Sequence, residues 1–185
     1  PIIRSSRQAG KPVIVATHML ESMIQNPIPT RAEVTDVFYA AETHADSTML
    51  SGESANGKYP FKSAESMAKI LVEAESTMQR GSIVERAPHH SDSMRIINDA
   101  KSENAEAIVV STDSEELPAA ISALRPNMPI IVCSDNAKIL RTLQLCFGVY
   151  PVAGKDLSLA KKWLKAGTKV VTATDQNAEP VLITL

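Results

Sequence analysis

Gly10-Lys11-Pro12-Val13-Ile14-Val15-Ala16-Thr17-His18-Met19-Leu20-Glu21-Ser22-Met23-Ile24 is the stretch whose reading decides the fold. Gly10 is a stop signal for the segment before it, and residues 12–17 form an unbroken apolar run ending in a hydroxyl. Such a run suits a strand buried on both faces of a parallel sheet. A short amphipathic segment follows at Met19 to Ile24. Pro27-Ile28-Pro29 then interrupts the chain, and Thr30 with Glu33 three residues later forms a capping box for a helix over Ala32 to Thr43. The apolar stripe of that helix is Val34, Val37, Phe38 and Ala41. Ser47 to Leu50 reads as a second short buried strand, ending in Ser51-Gly52-Glu53. Pro60 opens a long helix to about Gln79, with Met67, Ile70, Leu71, Ala74 and Met78 on its inner face.

Both strands therefore end in polar groups, Thr17 and His18 after the first, Ser51 and Glu53 after the second. That polarity is expected of a parallel barrel, whose loops at the carboxyl ends of its strands bring side chains to one face. The plainer alternative, that Thr17 and Ser51 only cap the helices after them, stays open on spacing alone.

From Arg80 to Ser93 the periodicity disappears and Gly81, Pro88, His89 and His90 gather, which predicts a linker over 81–93 between a first domain at 1–80 and a second at 94–185. Beyond it, the apolar runs Ala107–Ser111, Pro129–Cys133, Val149–Val152 and Lys169–Ala173 alternate with helical stretches at Glu116–Leu124, Asn136–Leu145 and Leu157–Lys165. Alternation of this kind predicts a small three-layer α/β domain. Pro180 to Leu185 is placed as an edge strand.

Composition narrows the function classes. Across 185 residues, 19 Lys+Arg stand against 21 Asp+Glu, giving a formal net charge of −2. With 44% hydrophobic and 22% charged residues the chain is globular, and it lacks the positive excess of a nucleic-acid clamp. No apolar run approaches the roughly 18 residues of a membrane span, and the expected setting is soluble and cytoplasmic. Cys133 and Cys146 have neither disulfide-framework nor zinc-site spacing and read as reduced, buried thiols. The opening Pro1-Ile2-Ile3-Arg4 reads as the end of a helix whose start lies outside the sequence.

Taken in order, Gly10–Ile24 (GKPVIVATHMLESMI), Pro27–Asp36 (PIPTRAEVTD) and Ala45–Pro60 (ADSTMLSGESANGKYP) closely resemble pyruvate kinase, the match running from about Gln8 to Glu75. Past residue 80 the likeness is carried by Ala107–Thr112, Leu124-Arg125-Pro126 and Phe147-Gly148-Val149-Tyr150-Pro151. The resemblance implies a fold of partial TIM barrel, its seventh and eighth strands with their helices, followed by the family's small three-layer α/β C-terminal domain. It implies phosphoryl transfer from phosphoenolpyruvate to ADP, giving pyruvate and ATP in glycolysis, with Mg²⁺ and K⁺ as cofactors and a homotetramer as the assembly. The family's metal ligands and its transition-state lysine lie on earlier strands absent from these residues, so the chain by itself is expected to be inactive and to hold no metal.

Residue by residue, Thr17 matches the family's substrate-contacting threonine. Ser51 and Glu53 match the serine and glutamate that order water and the proton relay near the enolate carbon. His18 stands where many relatives carry Gln or Asn, and Arg31 resembles the arginine reaching across the dimer contact. In the second block, Thr112 and Ser114 match hydroxyls of the sugar-phosphate effector loop, but Glu115, Glu116 and Leu117 replace the family's Gly, Arg and Ser. Two carboxylates at a helix N-terminus repel a phosphate, so loss of sugar-phosphate control is expected, with Ser114 an ordinary N-cap. His89, His90 and Asp92 read as solvated loop, Lys161, Lys162 and Lys165 around Trp163 as an exposed helix face, and Met19, Met23 and Met49 as core. The alternative to an enzyme fragment is a non-catalytic module, derived from the C-terminal domain, that binds a ligand or oligomerises.

Overall fold

The computed structural model describes residues 2–77, 89–174 and 180–185. Two units compose it, one built from residues 1–4 and 13–79, the other from residues 5–12 and 80–185. The grouping of residues 5–12 with the second unit was not legible from the linker signal. Helix α1 (Ile2–Gln8) carries a buried Arg7, whose Nη2 donates to the Ala123 carbonyl at 2.8 Å.

In the first unit, β1 (Ile14–Ala16) pairs in parallel with β2 (Ser47–Met49), Val15 opposite Thr48. The crossover between them runs through a 3-10 turn at Glu21–Ile24 and helix α2 (Arg31–Glu42). The capping box is present as anticipated, Thr30 accepting from the Glu33 amide while the Glu33 side chain accepts from the Thr30 amide. A single turn α3 (Gly52–Ala55) and the long α4 (Pro60–Thr77) follow. Met19, Leu20, Met23, Val37, Ala40 and Met67 form the core, with Val15, Leu50, Ile70 and Leu71 packed against it. Met78 lies outside the described residues.

Two expectations fail here for one reason. β1 is not buried on both faces, and Met49 is not core: Ile14 is 42% exposed and Met49 46%. Alternate residues of a strand point to opposite faces. Val15 and Thr48 turn toward the helices, where Thr48 Oγ1 meets Met67 Sδ at 3.1 Å. Ile14 and Met49 turn the other way, and among the described residues no layer of this unit covers them. The sheet is an open pair of parallel strands.

The second unit is a five-stranded sheet in the order β5-β4-β3-β6-β7, with β3 (Ala107–Ser111), β4 (Ile130–Ser134), β5 (Val149–Ala153) and β6 (Lys169–Thr174) parallel and β7 (Val181–Thr184) antiparallel at the edge. The period of two divides its core. Ile108, Val110, Ile130 and Val132 face the layer of α5 (His90–Ser102), α6 (Glu116–Ala123) and α7 (Ala137–Leu143), while Ala107, Val109, Ile131 and Cys133 face a 3-10 turn at Leu157–Lys162. That turn replaces the helix anticipated over 157–165. Leu157 and Ala160 of the turn, and Leu164 just past it, do face inward, because their spacing of three and four serves either helix type.

Helix α5 starts at His90, inside the stretch read as linker, so His90 and Asp92 are helical rather than loop. Its buried face of Ser93, Ile96, Ile97 and Ala100 has helical spacing, but the four polar residues that open it conceal the signal. Both cysteines are buried, and burial pushes the Cys133 thiol up.

Candidate functional site

The carboxyl ends of β1 and β2 bring together Thr17, His18, Ser51 and Glu53, all within the first unit. The backbone there is unusual. Thr17 (φ 73°) and His18 (φ 57°) are consecutive left-handed residues, and neither is glycine. Such geometry costs roughly 1–2 kcal/mol per residue and persists only where the surroundings impose it. Thr17 is no helix cap, because it lies three residues before the N-cap of the turn that follows. The turn that follows has Leu20 at its N-cap without a side-chain bond, and Ser51, at the N-cap of α3, makes none either. The capping alternative for both hydroxyls is thereby removed.

Glu53 supplies the constraint. Its side chain is buried at 2% exposure, yet both oxygens are satisfied: Oε1 accepts from the Leu20 amide at 2.9 Å and Oε2 from the Ser51 amide at 2.8 Å. One carboxylate thus ties the loop after β1 to the loop after β2. Burial works to raise its pKa, but the amides of Glu53 itself, Leu20 and Ser51 outweigh this and hold the carboxyl below the ordinary value, with nearby Glu33 opposing.

Glu33 does more than cap α2. Its Oε1 accepts from the Ser22 amide at 2.7 Å. Its Oε2 accepts from Ser22 Oγ at 2.5 Å, the Thr30 amide at 2.7 Å and Thr30 Oγ1 at 2.9 Å. Burial works against the charge, and these four donors together hold the carboxyl low. His18 is exposed, its Nε2 3.6 Å from Glu21 Oε2. Arg31, the first residue of α2, is exposed.

In the second unit the loop after β3 is closed on itself. Thr112 Oγ1 donates to the Ser114 carbonyl at 2.9 Å and accepts from the Ser114 amide at 2.8 Å. The N-cap of α6 is Glu115, not Ser114; Ser114 lies one residue earlier and its Oγ accepts from the Glu116 amide at 3.2 Å. Asp113 pairs with Lys155, which holds its carboxyl low, and accepts from Ser134 Oγ at 3.2 Å. Nor is His89 a solvated bystander, since its Nε2 lies 2.9 Å from Glu116 Oε2. Lys161 and Lys162 are exposed beside Trp163, whose ring lies 5.1 Å from that of Tyr150.

Among the described residues no group of three or more His, Cys, Asp or Glu could hold a metal ion. Glu33 and Glu53 already have both oxygens engaged by N–H or O–H donors. These side chains do not fit a divalent cation. No described helix is long and apolar enough to cross a membrane.

Comparison with known proteins gives one answer along the chain. The family model described as pyruvate kinase, barrel domain, matches residues 1–64, and that described as pyruvate kinase, alpha/beta domain, matches residues 91–182. A pyruvate kinase of Staphylococcus saprophyticus is 35% identical over 192 aligned positions, which cover 99% of this chain and 33% of the relative. One from Sporosarcina psychrophila is 38% identical over 164 positions, covering 85% of this chain and 28% of the relative. A crystal structure of a pyruvate kinase from Cryptosporidium parvum superposes with a TM-score of 0.87 at 28% identity, covering 99% of this chain and 42% of that one. The chain spans about a third of the length of the curated relatives it matches.

Proposed function

The chain belongs to the pyruvate kinase family, and from that premise we propose that the protein containing it transfers the phosphoryl group of phosphoenolpyruvate to ADP, yielding ATP and pyruvate. In this reaction the bond from phosphorus to the enol oxygen breaks, a bond from phosphorus to a β-phosphate oxygen of ADP forms, and the released enolate takes a proton at its methylene carbon. The observation that carries the reading is the polar cluster at the two strand ends, where a left-handed Thr17 sits in a turn tied by Glu53 to the Ser51 loop.

In this reading the Thr17 hydroxyl donates to a substrate oxygen, and His18 offers a second hydrogen-bonding group beside it. Ser51 contributes to the ordered path for the enolate proton. Glu53 acts by holding the two loops, since each of its oxygens is taken by an amide. Arg31 is assigned to a contact between subunits of a homotetramer, and the protein works in the cytoplasm without nucleic acid or membrane. Mg²⁺ and K⁺ are assigned to residues outside these 185. The first unit is assigned to the barrel portion and the second, with α5 from His90 onward, to the C-terminal domain.

The proposed enzyme lacks sugar-phosphate control through the loop at Thr112 and Ser114. Supporting this, both hydroxyls bond within their own loop and the adjoining positions carry Glu115 and Glu116. The function is tested by following pyruvate formation from phosphoenolpyruvate and ADP with the full-length protein. Turnover supports the assignment, and its absence under Mg²⁺ and K⁺ overturns it.

A further inference from the structure

We infer that Glu33 is a positioning residue for Thr17, fixing through Ser22 the turn that aims the Thr17 hydroxyl; this rests on the reading that Thr17 contacts substrate. The turn between β1 and α2 has two kinds of anchor. Leu20 and Met23 are fully buried, but apolar burial is non-directional and sets depth rather than orientation. Orientation comes from hydrogen bonds, whose angular demands are strict. Two carboxylates supply them from side chains: Glu53 at the Leu20 amide, and Glu33 at the amide and hydroxyl of Ser22.

A capping box alone does not require this arrangement. It needs one Glu33 oxygen for Thr30, and Oε2 serves that purpose. Oε1 is spent on the Ser22 amide, in a turn eleven residues upstream. Thr17 and His18 hold a conformation that relaxes unless the chain after them is pinned. Glu53 pins it on the side of the Ser51 loop and Glu33 on the side of α2. With the Glu33 bonds gone, the turn keeps its depth and loses its aim.

The experiment uses the full-length protein with Glu33→Gln, Thr17→Val and the double variant. Gln keeps one acceptor oxygen and sets an NH₂ group against a donor. In the wild-type background, Glu33→Gln is expected to lower kcat about tenfold while KM for ADP stays unchanged. In the Thr17→Val background the same change is expected to cost less than about twofold, because the hydroxyl it positions is already gone. Equal losses in both backgrounds, or no loss in the wild type, overturn the inference. Should Glu33→Gln fail to fold, Ser22→Ala serves instead, with an expected loss of about threefold that likewise vanishes without the Thr17 hydroxyl; an equal loss in both backgrounds again overturns it. A folded wild-type protein that forms no pyruvate overturns the proposed function and this inference together, whereas an active wild type with an indifferent Glu33 overturns only the latter.

Discussion

Glu53 and Glu33 show how a carboxylate can be kept ionised in a partly dry site: each is surrounded by N–H and O–H donors rather than by cations. Replacing Glu53 with Gln leaves one of two buried amides facing an NH₂ group, at a cost of about 1–3 kcal/mol. The expected signature is faster hydrogen exchange at the Leu20 and Ser51 amides; unchanged protection there would contradict the clamp. The pH dependence follows from the same bonds. Both carboxyls lie below the ordinary value of 4.5 in the folded chain, so the folded form binds fewer protons than the unfolded one. Their stabilisation is fully present above pH 4.5 and is lost as pH falls through the lowered folded values. Acid titration followed by exchange at the Leu20 and Ser22 amides should show the first unit loosening in that window, and the Glu53→Gln variant losing part of the dependence.

At the scale of elements, what was legible in the sequence was whatever is local. The Thr30–Glu33 box declares the start of α2 because both bonds span three residues. The apolar runs of β3 and β4 declare a doubly covered sheet because every residue of β4 is buried. Helix α5 was hidden by polar residues at its start, and the bond from Glu33 to Ser22 was hidden because no periodic pattern marks a contact made through a crossover. Thr17, Ser51 and Glu53 were found through the resemblance; spacing alone left capping open. Two substitutions test the element-level account. Thr30→Ala removes the N-cap of α2 and should cost about 1 kcal/mol. Ile131→Ala empties a fully buried position of β4 and should cost about 2–5 kcal/mol. In the 185-residue chain Trp163 is the single tryptophan and lies in the second unit. Its fluorescence during denaturant unfolding should report the Ile131→Ala loss and stay indifferent to Thr30→Ala.

The molecule as a whole is a portion of a larger architecture. The bare face of β1 and β2, with Ile14 and Met49 turned outward, is what two adjacent strands of a barrel present when the remaining strands are not among the residues described. The five-stranded unit, by contrast, buries both faces of its central strands and closes its edge with an antiparallel β7. The 185 residues alone are therefore expected to fold in their second unit and to form no pyruvate. The most direct test is a side-by-side assay of pyruvate formation from phosphoenolpyruvate and ADP, with Mg²⁺ and K⁺ present, comparing the full-length protein with the 185-residue chain at equal concentration. The account predicts turnover by the full-length protein and none by the shorter chain. A full-length protein that folds and yields no pyruvate, or a shorter chain that does, would contradict it.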